Sequence, residues 1–108
     1  MEKSFYQSLL NSIKDPILVA DTNHTVQYMN KAAIKHYEEG EDLLQSNLLD
    51  CHNEESQKIM IEILVEMQNG LNEKLITDNE KYRIYMRAVI NESGKLIGYF
   101  ERYEPPNS

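Results

Sequence analysis

The chain contains a single cysteine, Cys51, in 108 residues. An internal disulfide is therefore excluded, and a reducing compartment is expected. No window approaches the roughly 18 consecutive apolar residues that a membrane span needs. The polar opening Met1–Tyr6 does not resemble a signal peptide. The expected location is cytoplasmic, with no membrane partner. Positive charge is also scarce: 11 basic against 18 acidic side chains give a formal net charge of −7. A nucleic-acid-binding face needs clustered Lys and Arg, so no nucleic-acid partner is expected. The sequence lacks a nucleophile elbow, a phosphate-cradling glycine loop and an HExxH pair, and the chain is not expected to be an enzyme. It also lacks the Cys/His spacing of a zinc site, internal repeats and low-complexity tracts.

What remains is an ordinary globular composition, 41% hydrophobic and 27% charged, sufficient for one domain with one modest core. The charge imbalance sits in the middle. Residues 37–80 hold twelve acidic and two basic side chains, which reads as a solvated acidic face.

Taken in order, Ser4–Lys14 places Phe5, Leu9 and Ile13 at i, i+4 and i+8, with Tyr6 and Leu10 alongside, and Ser4 as N-cap. Asp15-Pro16 ends this helix. Pro16–Asp21 and Val26–Asn30 read as strands joined by turn residues 22–25. Asn30 is expected to cap a short helix, Lys31–Tyr37. Glu41–Leu49 reads as a helical turn or two, with Leu44 and Leu48 on one face. The longest helical pattern follows, capped by Asp50 or Asn53 and stopped by Asn69-Gly70. Its stripe is Ile59, Ile63 and Met67, flanked by Met60, Leu64 and Val65, broad enough to predict burial over much of its girth. The period then changes to two. Leu75–Thr77 is a short strand. Tyr82–Ile90 is a long one with Tyr82, Ile84, Met86, Ala88 and Ile90 on one face and Arg83, Tyr85, Arg87 and Val89 on the other. Leu96–Tyr103 is the last strand, stopped by Pro105-Pro106. A helical block between two hairpin-connected groups of strands predicts an α+β domain with an antiparallel sheet.

Several stretches carry a resemblance. Asp15–Asp21 (DPILVAD) resembles the opening strand of PAS domains, and Val26–Ala33 (VQYMNKAA) the second strand with its Asn-x-Ala-Ala helix start. Gly40–Ser56 (GEDLLQSNLLDCHNEES) is similar to the family's Gly-x-x-Leu stretch and the step into its long helix. Tyr82–Tyr103 resembles the closing hairpin, with Gly94 in the turn and Gly98 in the last strand, and the spacing fits from Phe5 to Glu104. The Cys51-His52 step is similar to a bacterial PAS subgroup with Cys-His-Pro-Pro there, although Asn53-Glu54 stand in place of the prolines. The resemblance implies a five-stranded antiparallel sheet in the order 2-1-5-4-3, helices on one face, and an N-terminal helix packed on the other face or on a partner. It implies one domain over 1–108, with the N-terminal helix at 4–14, the core at 16–104 and a tail at 105–108. The chain is expected to be a stand-alone regulator or a domain cut from a larger signalling protein.

Two functions follow from the resemblance. One is a signal-transduction module that forms a homodimer or docks to a signalling effector, with Phe5, Tyr6, Leu9, Leu10 and Ile13 at the interface. The other is a sensor that holds haem or a small apolar or anionic molecule between the long helix and the sheet. For that reading the candidate pocket is Cys51, His52, Ile59, Ile63, Met67, Met86 and Arg87. A thiolate or imidazole near a helix start is a candidate haem ligand. In the opposing reading Cys51 is a small buried apolar group and the His52 ring bonds the backbone. A light-sensor flavin would need a cysteine signature that Ser46–Cys51 does not supply, so flavin is not expected. A sizeable cavity beside Ile59, Ile63, Met67 and Met86 would favour the sensor; a filled core with an exposed apolar N-terminal helix would favour the dimer.

Overall fold

Turn chemistry sets most of the boundaries. The structure, a computed structural model, describes residues 3–106. Its elements are α1 (Lys3–Asn11), β1 (Leu18–Asp21), β2 (Val26–Met29), α2 (Lys31–His36), 3-10 turns at Gly40–Leu43 and Leu48–Cys51, α3 (Glu54–Gln68), β3 (Glu73–Asp78), β4 (Arg83–Ile90) and β5 (Leu96–Glu104). The sheet order is β2-β1-β5-β4-β3, every pairing antiparallel. That is the α+β fold the sequence implied. No helix among the described residues is long and apolar enough to cross a membrane.

The β1–β2 turn is built by Asp21, whose Oδ1 accepts from the amides of Asn23 and Thr25 at 2.9 and 3.0 Å. Asn30 caps α2 by accepting from the Ala33 amide, and Asn53, not Asp50, caps α3 by accepting from Ser56. α1 ends at Asn11 rather than Lys14, and Ser4 lies inside it rather than at its cap. The Ser12 hydroxyl donates to the Ser8 carbonyl at 2.8 Å where the helix stops.

One cluster joins the inward side chains of the sheet (Leu18, Ala20, Met86, Tyr99) to α3, α2 and both 3-10 turns. The α3 stripe is rotated from the one expected: Met60, Ile63, Leu64 and Met67 are buried, whereas Ile59 and Val65 are 48% and 49% exposed. The spacing i, i+3, i+4, i+7 defines the buried face, and it is narrower than the apolar residues of the helix suggested. Leu43, not Leu44, turns inward beside Leu48, because the turn is 3-10 and Gln45 takes a left-handed φ of 67° just after it. Ile90 is exposed where the register shifts at the end of β4.

Candidate functional site

β5 is the central strand, and its alternation puts Tyr99, Glu101 and Tyr103 on the side facing the helices. Glu101 pairs with Leu18 on one side and Met86 on the other, so its carboxyl enters the domain in the middle of the sheet. It is 7% exposed. Its Oε1 accepts a hydrogen bond from the Tyr37 hydroxyl at 2.9 Å, and the Tyr37 and Tyr103 hydroxyls are 2.7 Å apart. Oε2 has no hydrogen-bond partner among the described residues. Burial pushes the Glu101 carboxyl above the usual carboxylate range, against the Tyr37 hydrogen bond and the nearby His52. Burial likewise raises Tyr37, Tyr99 and Tyr103, with Glu101 adding to each.

Two cavities share Glu101 and His52 in their linings. One, about 130 Å³, lies against Ser56, Ile59, Met60, Ile76 and Thr77. The other, about 190 Å³, lies against Tyr37, Glu39, Leu43, Leu48 and Cys51. At the end of this site the His36 ring stands edge-on to Tyr37, Tyr82 and Tyr103, with centroids 5.0–5.7 Å away. Farther along β5, the Tyr99 hydroxyl is 2.8 Å from Nδ1 of His24, a buried histidine in the β1–β2 turn whose imidazole is held below its ordinary range by burial.

The seven candidate pocket residues do not form one pocket. Ile63, Met67 and Met86 are core. Ile59 and His52 reach the smaller cavity, and Cys51 and His52 the larger. Arg87 lies on the opposite face, because neighbours along a strand alternate and Met86 points inward. There Arg87 pairs with Glu73 at 3.5 Å. Arg102 and Arg83 complete the cluster, Arg102 binding Glu73 and Glu104 and Arg83 lying 3.7 Å from Glu104. The Arg102 guanidinium sits 4.1 Å over the Tyr85 ring. Hydrogen bonds from Arg102, above all, hold Glu73 below the usual carboxylate range.

Cys51 is exposed, not a buried apolar group. It closes the second 3-10 turn, ahead of the α3 cap, so the α3 dipole does not activate it. Partial desolvation and the carboxylates of Glu39 and Asp50 push its thiol up, away from the thiolate. The His52 ring does bond the backbone, its Nδ1 2.8 Å from the Leu48 carbonyl. Since a carbonyl only accepts, Nδ1 carries the hydrogen.

Glu101, Tyr37 and His24 were not singled out by the sequence. The available signal was phase: an acid between two tyrosines at positions 99, 101 and 103 of a strand whose inward side must be core.

Of the interface candidates, α1 carries Phe5, Tyr6 and Leu9 at 54%, 50% and 53% exposure, with Leu10 half-buried, and Ile13, just past its end, is 38% exposed. No residue of α1 is buried. The helix is tied at its C-terminal end instead: Asn30 Nδ2 donates to the carbonyls of Leu10 and Asp15 at 3.0 Å, and Tyr28 donates to Gln7 and Asn11. An open cleft of about 510 Å³ runs between α1, β2 and α2.

The sheet order and inward-facing α3 define the class, an antiparallel α+β domain with its helices packed on one face of the sheet, and the sequence agrees. Residues 4–100 match the model of the PAS fold family, and the chain belongs to that family. Solved structures share the fold at low identity. A C-terminal domain from Streptococcus mutans is 15% identical with a TM-score of 0.81, covering 97% of this chain and 85% of that one. The PAS domain of BvgS from Bordetella pertussis is 15% identical with a TM-score of 0.68, covering 97% and 86%. A sensory box sensor histidine kinase from Vibrio cholerae is 10% identical with a TM-score of 0.66, covering 98% and 93%. No curated protein matches the sequence significantly.

A pH prediction follows from Glu101. Its folded-state pKa is raised, so its contribution to stability is full below the unfolded value of 4.5 and is lost as pH rises through the folded value. Glu101→Gln keeps the shape and the acceptor for Tyr37 without a charge to bury. The variant is expected to gain on the unaltered chain progressively as pH rises from 4.5 toward neutrality. Thermal melts in a pH series check this; a stability difference that stays flat with pH would refute it.

Proposed function

We propose that this chain is a sensory signalling PAS module that works as a homodimer, with α1 and the outer face of the sheet as the contact surface. One observation carries the reading: α1 and the residues just after it project Phe5, Tyr6, Leu9 and Ile13 into solvent while the core behind closes without them. A soluble chain does not keep such a stripe open without a use for it. The outer sheet face continues the surface, with Val19, Phe100 and Leu75 bordering the Arg–Glu cluster. A kinase-type sensor with this fold, the Vibrio cholerae sensory box protein, supports a role upstream of an effector. The dimer is tested by light scattering at about 100 µM, where weak interfaces still associate. A mass of one chain overturns it. Leu9→Glu is expected to weaken association at least tenfold, about 1.4 kcal/mol, with an unchanged circular dichroism spectrum, since Leu9 has no place in the core.

A second reading, response to a small ligand, is favoured by the paired cavities around Glu101. Both are smaller than the roughly 300–1,000 Å³ of pockets for drug-sized molecules. A porphyrin does not fit without displacing α3, and an anion meets the Glu101 carboxyl with no Lys or Arg in either lining to offset it. A compact molecule of a few heavy atoms fits.

A further inference from the structure

We propose that the space under α3 is a recognition site for a small organic cation, an alkylammonium or similar multi-donor group, held by the Glu101 carboxylate. This rests on the reading that the space takes a ligand and adds the ligand's chemistry. Glu101 is more than nine-tenths buried and lines both cavities, and among the described residues its Oε2 has no hydrogen-bond partner. A mostly buried carboxyl whose second oxygen faces accessible space and has no protein partner is best complemented by a donor that carries positive charge. Among the described residues no Lys or Arg reaches it. The groups facing Glu101 are Tyr37 from the end of α2, Tyr99 and Tyr103 from β5, and His52 ahead of α3; Glu39 and Cys51 line the larger cavity. α3 and β3 bring Ser56, Ile59, Met60, Ile76 and Thr77, none charged. The hydroxyls of Ser56 and Thr77 give further acceptors, and the Ile59, Met60 and Ile76 side chains suit a short alkyl part.

The surroundings also select for charge. Residues 37–80, which supply α3, both 3-10 turns and Glu39, hold twelve acids and two bases. Such a field raises the local concentration of cations. Each cavity has room for several water-sized groups, enough for a compact molecule of a few heavy atoms. With the site empty, burial favours the neutral form of Glu101. A bound ammonium favours the carboxylate, so binding draws the carboxyl group toward ionisation and the proton it gives up goes to solvent.

Ethylammonium chloride is the probe, with sodium acetate and ethylene glycol as anionic and neutral controls at equal ionic strength. Amide shifts in heteronuclear NMR are the readout. Ethylammonium is expected to shift the amides around Tyr37, His52, Ile76 and Glu101, to bind at least tenfold more tightly than either control, and to bind more tightly as pH rises and proton release becomes easier. Glu101→Gln is expected to lose that response at least tenfold. The pH series on the unaltered chain stands whatever the variant's stability. If acetate or glycol binds these residues and ethylammonium does not, the cation is overturned while the ligand reading survives. If none of the three binds, both fall. Ethylammonium shifts that map only to exposed acids, or that persist in Glu101→Gln, also overturn the proposal, as binding to the surface charge alone.

Discussion

Asn30→Ala is expected to lose about 3–5 kcal/mol of stability, read as a lower urea midpoint at an unchanged slope. Asn30 is fully buried and uses its whole amide. Oδ1 accepts from the Ile17 and Ala33 amides, both at 2.9 Å, and Nδ2 donates to the Leu10 and Asp15 carbonyls at 3.0 Å. Alanine fills part of the volume but leaves these groups facing one another without a partner, and each unsatisfied group costs roughly 1–3 kcal/mol. Asn30→Asp separates the two halves of this set. It keeps the acceptor and replaces the donor with an oxygen facing carbonyls, so it should be no better than alanine at neutral pH. A loss under about 1 kcal/mol in either variant would count against this account. Asn30 is also the joint between α1, the start of β1 and α2. In the proposed dimer, a shift of α1 would reach the sheet through it.

Gly98→Ala is expected to be worse, leaving the chain unfolded or insoluble. A Cβ on Gly98 would lie 2.2 Å from the Ala20 carbonyl oxygen and 3.2 Å from the Asp21 Cα. Those are backbone atoms of β1, and Gly98 pairs with Asp21 in the centre of the sheet. No rotamer relieves such a contact; β1 must move away from β5, opening the core at Leu18 and Ala20. The loss should exceed about 4 kcal/mol, the range of severe lesions. Far-ultraviolet circular dichroism and expression in the soluble fraction check it. A variant that melts within a few degrees of the unaltered chain would show that the strand gives way cheaply.

The elements that local chemistry decides were legible. Asp21 and the residues after it announce a turn, Asn30 announces a cap, the α3 cap is narrowed to Asp50 or Asn53, and alternation from Tyr82 to Ile90 announces a strand; each depends on neighbours within four residues or so. The site depends on distant ones. Tyr37 meets Glu101 across 64 positions, and His24 meets Tyr99 across 75, so no window of sequence shows either pair. Arg87 illustrates a second limit. Alternation separates it from Met86 but does not say which side the helices cover, and only the register that sets Arg87 beside Glu73 and Phe100 decides it. The α3 stripe shows a third: with Ile59, Ile61 and Val65 also apolar, more than one face of the helix qualified for burial.

The two ends of the sheet bear on how the chain behaves at high concentration. An unpaired edge strand is a template for adding further strands and hence for fibre growth. β2 is only four residues long, and its free side is occupied: the Val26 amide donates to the Ser46 carbonyl, the Gln45 amide donates back to Val26, and Thr25 bridges Asn47. β3 is open, but its register breaks between Leu75 and Thr77, and Glu73, Lys74 and Asp78 put charges along it. A second chain cannot lie flat against a bulged, charged edge. With both edges guarded in this way, lengthening of the sheet is disfavoured, and association of copies is expected to run across the faces of the domain rather than along its edges.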